Sequence, residues 1–230
     1  ASESSITVFA ITRDASNNFV ANVAATAWSL QNITGGVVAS DLVPSVDTKS
    51  AVFTAHVAGS ANIRATSGVL ATTSSGTITV TPGAATAVRV ETAANGSGTV
   101  VTAQSLASGS SITVYAITRD ALNNFVANVA ATAWALENIT GGVVSGDLVP
   151  AVDGKSAVFT GHVIGTADIK ATSGVLTTTP SGTITVTSGT ATKVRVETAT
   201  NGSGTVVPVQ SLASGSSITV FAITRDALDN

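Results

Sequence analysis

Cysteine and methionine are both absent from this 230-residue chain, and aromatic residues are scarce, with two Trp, one Tyr and six Phe. Without cysteine there is no disulfide framework and no thiol-ligated metal, so the chain must fold on its apolar side chains alone. Charge is sparse too: ten Lys and Arg stand against 13 Asp and Glu, for a net charge of −3. The basic residues occur singly, which leaves no patch to neutralise phosphates and speaks against nucleic-acid binding. Mean hydropathy is positive, at +0.44, yet no apolar run approaches the roughly 18 residues that a membrane helix needs. No charged leader followed by an apolar core stands at the start, so any signal peptide lies outside these residues or has been removed. Catalytic signatures are missing as well. There is no Gly-x-Ser-x-Gly elbow, no His-Glu-x-x-His and no phosphate loop, so the chain is expected not to be an enzyme.

What is present is a repeat. The run Ser5-Ile-Thr-Val-Phe-Ala-Ile-Thr-Arg-Asp14 returns as Ser111 to Asp120 with Tyr115 for Phe9, and again as Ser217 to Asp226, each time after 106 residues. At that offset roughly four positions in five are identical, and most differences, such as Thr48 for Gly154, fall between apolar segments. A period of this length exceeds solenoid repeats and matches a self-sufficient domain. The expected domains are 1–83, a repeat lacking its first strand; 84–189, a complete repeat; and 190–230, the opening strands of a further repeat.

The complete period reads as strands throughout. Val88, Val90 and Thr92 alternate with Arg89 and Glu91, and Asn95-Gly96-Ser97-Gly98 turns the chain toward a short strand over 100–104. Ser111 to Arg119 is the strongest strand, and Asp120 to Asn124 breaks it with side chains that bond nearby backbone. Ala133 to Glu137 follows, carrying Trp134. Residues 138–153 read as loop with an edge strand at Pro150, which cannot donate to a central ladder. Strands over 156–163, 167–172 and 182–187 finish a set of seven or eight with no helical stripe. The fold class is all-β, an antiparallel sandwich. Trp28, Trp134, Phe53 and Phe159 are its expected core anchors.

Three pieces resemble bacterial immunoglobulin-like (Big) domains of the invasin and intimin type. They are Ser111 to Asp120 running into Asn123-Asn124-Phe125-Val126; Thr132-Ala-Trp134; and Lys155-Ser-Ala-Val-Phe159 leading to Gly165-Thr-Ala-Asp-Ile169-Lys-Ala-Thr172. All three recur one period earlier. The resemblance implies tandem immunoglobulin-like sandwiches in an extracellular rod that serves as stalk or spacer, sometimes with an adhesive tip. Asn123-Asn124 departs from the Gly-Asn more usual there, and the missing cysteines set the chain apart from disulfide-bridged animal domains.

Few residues invite a site. His56 and His162 occur once per period, on the strand face opposite Phe53 and Phe159, and read as solvent-facing. No cofactor is expected. The secondary possibility is Ca²⁺ held by Asp14, Asp120 or Asp226 with Glu91 or Glu197, although spacing alone does not bring these together. Asn32-Ile-Thr34, Asn138-Ile-Thr140, Asn95-Gly-Ser97 and Asn201-Gly-Ser203 fit both the glycosylation pattern and turn chemistry. Alternation along the second strand puts Phe9 with Ile11, Tyr115 with Ile117, and Phe221 with Ile223 on the face away from the core. Apolar groups there suggest an assembly face against another domain, with an adjoining loop as the other cover.

Ala1 to Asn18 repeats Ala213 to Asn230 in phase. Two readings of this are open: a window on a longer array, or a subunit whose terminal strands complete the next. The functional expectation is a structural repeat region of an extracellular prokaryotic surface fibre, filament or stalk. Its expected partners are neighbouring repeats and copies of itself. A ligand- or receptor-binding adhesin module is the alternative.

Overall fold

The computed structural model describes all 230 residues, which gather into two compact units. The first comprises Ala1–Thr86 with Arg119–Val126, and the second Ala87–Thr118 with Ala127–Asn230. Residues 190–230 are counted with the second unit.

In the first unit the strands are β1 (Ser5–Phe9), β2 (Ile11–Arg13), β3 (Phe19–Asn22), β4 (Ala27–Gly35), β5 (Leu42–Pro44), β6 (Ser50–Thr54), β7 (Gly59–Thr66) and β8 (Ile78–Val80). They form one sheet ordered β1-β6-β5, a second ordered β4-β7-β8, and the hairpin β2-β3. The faces that meet carry Leu42, Ala51 and Phe53 from one sheet and Ala61, Ile63 and Val80 from the other, all buried, with Trp28 and Leu30 packed against them.

The remaining strands are β9 (Ala87–Glu91), β10 (Gln104–Ala107), β11 (Ser111–Arg119), β12 (Phe125–Asn128), β13 (Ala133–Gly141), β14 (Leu148–Pro150), β15 (Ser156–Thr160), β16 (Gly165–Thr172), β17 (Thr177–Thr179), β18 (Ile184–Thr187), β19 (Lys193–Glu197) and β20 (Phe221–Arg225); they belong to the second unit except for Arg119 of β11 and Phe125 and Val126 of β12, which are counted with the first. One sheet runs β10-β18-β16-β13 and the other β14-β15-β11-β9-β17, with β12 added beside β11 and β19 paired only to β20. Period-two alternation explains the sandwich. In β15, Ala157 and Phe159 are buried while Val158 between them is exposed, and in β16 Ala167, Ile169 and Ala171 line the opposing sheet. Phe159 sits opposite both Ile112 and Leu148 in register, and burying a ring of this size contributes about 1.5–3 kcal/mol. Pro150 falls on β14 at the sheet edge, where a residue without an N–H is tolerated.

Each complete sandwich is immunoglobulin-like: two packed sheets, mostly antiparallel, with consecutive strands switching between them. Some details differ from the sequence expectation. β10 runs parallel to β18 and β17 parallel to β9, whereas an antiparallel arrangement was expected. Residues 100–104 supply an isolated Glu91–Val100 bridge and only the first residue of β10. β13 continues past Glu137 to Gly141 through a bulge, because Asn138 adopts φ 53° there. Left-handed φ is tolerated by Asn, and the bulge preserves pairing beyond it.

Candidate functional site: a carboxylate clasp in each unit

The loop that ends β11 is closed by its own backbone. Asn123 N donates to Asp120 O at 3.0 Å and Asp120 N to Asn124 O at 3.1 Å, while Asn123 turns through φ 68°. This geometry folds the Asp120 carboxylate back over the loop, where Oδ1 accepts from Leu122 N (3.0 Å) and Asn124 N (2.8 Å). Oδ2 accepts from Asn124 Nδ2 (2.9 Å), from the Ser2 hydroxyl (2.7 Å) and from Gly83 N (2.8 Å). The Asn124 amide then pairs with backbone: Oδ1 accepts from Ala58 N at 3.0 Å and Nδ2 donates to His56 O at 3.0 Å. Asp120 and Asn124 are each only 5% exposed. A loop carried by the second period is thereby built into the compact unit of the first.

The same clasp recurs in the second unit. Asp226 Oδ2 accepts from Ser108 Oγ and Gly189 N, both at 2.8 Å, and Oδ1 accepts from Leu228 N and Asn230 N, both at 2.9 Å. Asn230 Oδ1 accepts from Ile164 N at 3.1 Å, and its Nδ2 donates to His162 O at 2.9 Å. Gly83 shows why this position carries no side chain. A Cβ there would lie 2.9 Å from the Ser2 hydroxyl.

Electrostatics follow from the donors. Burial opposes ionisation of Asp120, but the Gly83 N–H, the Ser2 hydroxyl and the side chain and backbone of Asn124 outweigh it, holding the carboxyl well below the usual range. Asp226 is lowered in the same way, with burial opposed by Gly189, Asn230 and Ser108. Calcium requires open oxygen lone pairs, whereas those of Asp120 and Asp226 face N–H and O–H donors. Glu197 is also engaged: the Arg225 guanidinium grips it two-pronged at 2.9 and 2.6 Å, and Arg195 lies at 3.6 Å.

The other predicted residues separate. Phe53 and Phe159 are buried in the two cores, with Trp28 and Trp134 packed half-buried against them. The indoles donate to Thr48 O and Gly154 O, each at 2.9 Å. On the expected assembly face, Phe9 is 59% exposed and Ile11 42%, while Tyr115, Phe221 and Ile223 are half-buried. Ile117 departs from that expectation because its side chain is fully buried. From Ala116 to Arg119 every residue of β11 is buried, so both strand faces are packed there and the alternation read from the sequence no longer marks an open side.

Both histidines are exposed, in line with the solvent-facing reading, but each has a buried partner. His56 Nδ1 lies 2.8 Å from Oδ1 of the buried Asp41, and His162 Nδ1 lies 2.6 Å from Asp147 Oδ1. Asp41 and Asp147 close 3-10 turns, accepting from Val38 N and Val144 N at 3.0 Å. These aspartates were not singled out in the sequence; the one available signal is that each stands fifteen residues before its histidine in both periods. The glycosylation-pattern asparagines serve as turn residues: Asn95 Oδ1 accepts from Ser97 N and Oγ at 3.2 and 2.6 Å, and Asn32, like Asn138, sits at a bulge with φ 51°.

No family model matches the chain, and no curated protein matches it. Solved structures do show similarity. FdeC, an Escherichia coli adhesin, is 18% identical over 100% of this chain and 71% of that one, with a TM-score of 0.43. Extracellular domains 3–5 of Drosophila OTK are 8% identical over 85% of this chain, with a TM-score of 0.39, and this chain spans 61% of that structure's length. The Bacteroides ovatus mixed-linkage glucan utilisation protein SGBP-B is 15% identical over 86% of this chain and 45% of that one, with a TM-score of 0.23. The sandwich itself is defined by the strand pairings above. No helix is long and apolar enough to cross a membrane.

Proposed function

We propose that the chain is a structural repeat region of an extracellular prokaryotic surface fibre, filament or stalk, with each sandwich acting as a rigid spacer and no catalytic role. The observation that carries this reading is the clasp. The Asp120–Asn124 loop, which follows β11 of one period, is bound by Ser2, Gly83 and the backbone of His56 and Ala58 from the period before, and Asp226–Asn230 repeats the arrangement. Buried, charge-assisted hydrogen bonds of this kind hold one geometry, because a slipped loop leaves a carboxylate and backbone groups unpaired. A spacer needs that uniformity, and near-identical periods supply it copy after copy. Partners in this reading are neighbouring repeats.

Immunogold electron microscopy of native cells with an antibody raised against this chain tests the proposal. Label along regular fibres or stalks outside the cell is the expected result. Label confined to the cell interior overturns it.

A further inference from the structure

Asparagines in this chain differ in how firmly their side-chain amides are held. Asn124 is bound at both ends, with Oδ1 accepting from Ala58 N and Nδ2 donating to His56 O and Asp120 Oδ2. Asn138 commits its Nδ2 to Asp168 Oδ2 at 2.6 Å, and the residue after it is the β-branched Ile139. Asn95 stands apart. It is exposed, its Oδ1 accepts from Ser97 N and Oγ at 3.2 and 2.6 Å, and its Nδ2 takes no part in the turn. Gly96 follows at φ 82°, with no Cβ to crowd its backbone nitrogen.

The loop around this pair has a set shape. Thr92 N donates to Thr99 O at 3.0 Å and Thr99 N to the Thr92 hydroxyl at 3.2 Å. Gly98 closes the loop from inside, because a Cβ there would lie 2.5 Å from Ala93 N. Asn95 and Gly96 therefore stand at the apex of a short connection between β9 and the Glu91–Val100 bridge. The turn recurs at Asn201 to Gly204. There Asn201 Oδ1 accepts from Ser203 N and Oγ at 3.1 and 2.6 Å, and Gly202 again has φ 82°.

We propose that Asn95 and Asn201 are sites of spontaneous deamidation carried out by the folded turn itself. Gly96 N, its proton passed to water, attacks Asn95 Cγ; the bond from Cγ to Nδ2 breaks, and ammonia leaves with a proton from water. Water then opens the resulting cyclic imide at either carbonyl, leaving an aspartyl or an isoaspartyl residue at position 95. One water is consumed and one ammonia released, with no oxidant or reductant. The Ser97 hydroxyl, 2.6 Å from Oδ1, faces the oxygen on which negative charge develops as Gly96 N adds, and so lowers the barrier. Each event adds a negative charge to an exposed turn, and the isoaspartyl product also inserts a methylene into the main chain. The inference rests on turn geometry and is independent of the spacer reading.

Timed incubation of the folded chain at mildly alkaline pH, followed by peptide mapping with mass spectrometry, is the test. Acid forms at positions 95 and 201 should accumulate at least about tenfold faster than at Asn124 or Asn138, with aspartyl and isoaspartyl products both present. A synthetic peptide of residues 89–101 supplies the rate without the fold, and the folded chain should keep pace with it. Ser97→Ala, at an exposed position, should slow Asn95 by about three- to tenfold and leave Asn201 unchanged. Asn95→Gln should suppress product at position 95, because ring closure must then form a larger imide. A folded chain about tenfold slower than the peptide overturns the proposal. Aspartyl product alone overturns it as well, since that outcome means direct hydrolysis without the imide. A rate indifferent to Ser97→Ala overturns the part given to the hydroxyl.

Discussion

The first and central periods have nearly the same sequence, yet they use it differently. In the central period β11 is one continuous strand from Ser111 to Arg119, and Val114 and Ala116 are fully buried. In the first period the same residues form two short strands, β1 and β2, interrupted at Ala10, and Val8 is only half-buried. The central period has the opening strand β9 at its side, and the first has no such strand within these residues. Val88 and Val90 therefore complete one core, while the other is left with fewer buried side chains. A strand's length and burial depend on the neighbour it finds, and not on its own sequence alone.

Core truncation breaks the comparison most severely. Phe159→Ala should cost about 3–5 kcal/mol, because the ring is enclosed on all sides and the cavity cannot collapse. Phe53→Ala should cost measurably less, since its thinner core can relax. Denaturant titration followed by fluorescence of Trp28 or Trp134, each kept alone, reads the two units separately. Equal costs would show that the opening strand adds nothing to the core.

The clasp gives the next largest effect. Asn124→Ala removes a buried amide and leaves Ala58 N and His56 O without their partner in a part-buried setting, and should destabilise the first unit by about 1–2 kcal/mol. Asn18, its counterpart in the first period, bonds only within its own exposed loop, so Asn18→Ala should stay within about 0.5 kcal/mol. Hydrogen exchange at Ala58 N, protected in the parent and released in Asn124→Ala, checks the assignment.

Acid should act through the same residues. Asp120 and Asp226 have carboxyls lowered in the folded state, so the unfolded chain binds more protons as pH falls. Their contribution is fully present above the unfolded carboxyl value near about 4 and is lost progressively as pH drops from there toward the folded values. Thermal melts between neutral and strongly acidic pH should show this loss. Asp120→Asn should be less stable at neutral pH but flatten the acid slope of the first unit. An unchanged slope would remove Asp120 from the account.

The smallest expected difference lies in one turn. Thr48 sits at φ 54° where the central period has Gly154 at φ 69°, and left-handed backbone strains a β-branched residue. Each position supplies the carbonyl that accepts from the Trp28 or Trp134 indole, so the turn cannot relax away. Thr48→Gly should stabilise by about 0.5–1 kcal/mol, and Gly154→Thr should cost a similar amount. A Cβ at Gly154 would touch Ala130 at an ordinary 3.5 Å, which leaves backbone conformation as the cause.

Much of the fold was legible along the chain. Alternation around Phe159 and Ile169, turns at Asn95-Gly96 and the proline at 150 marked strands and an edge. β12 and β17 were not legible, because four and three residues carry too little periodicity to stand out. The clasp was half visible. Asp120 and Asn124 were marked as turn formers, but Ser2 lies 118 residues from Asp120, and nothing local distinguishes that serine from the many others.

The 106-residue period, the apolar alternation and the turn residues are local properties, and they alone determined that the chain forms repeated β-sandwiches. Which face of β11 stays open, whether Ile117 is buried, and what Asp120 and His56 bind were decided by residues distant in sequence, through packing and donor–acceptor pairing that exist only once the sheets have closed.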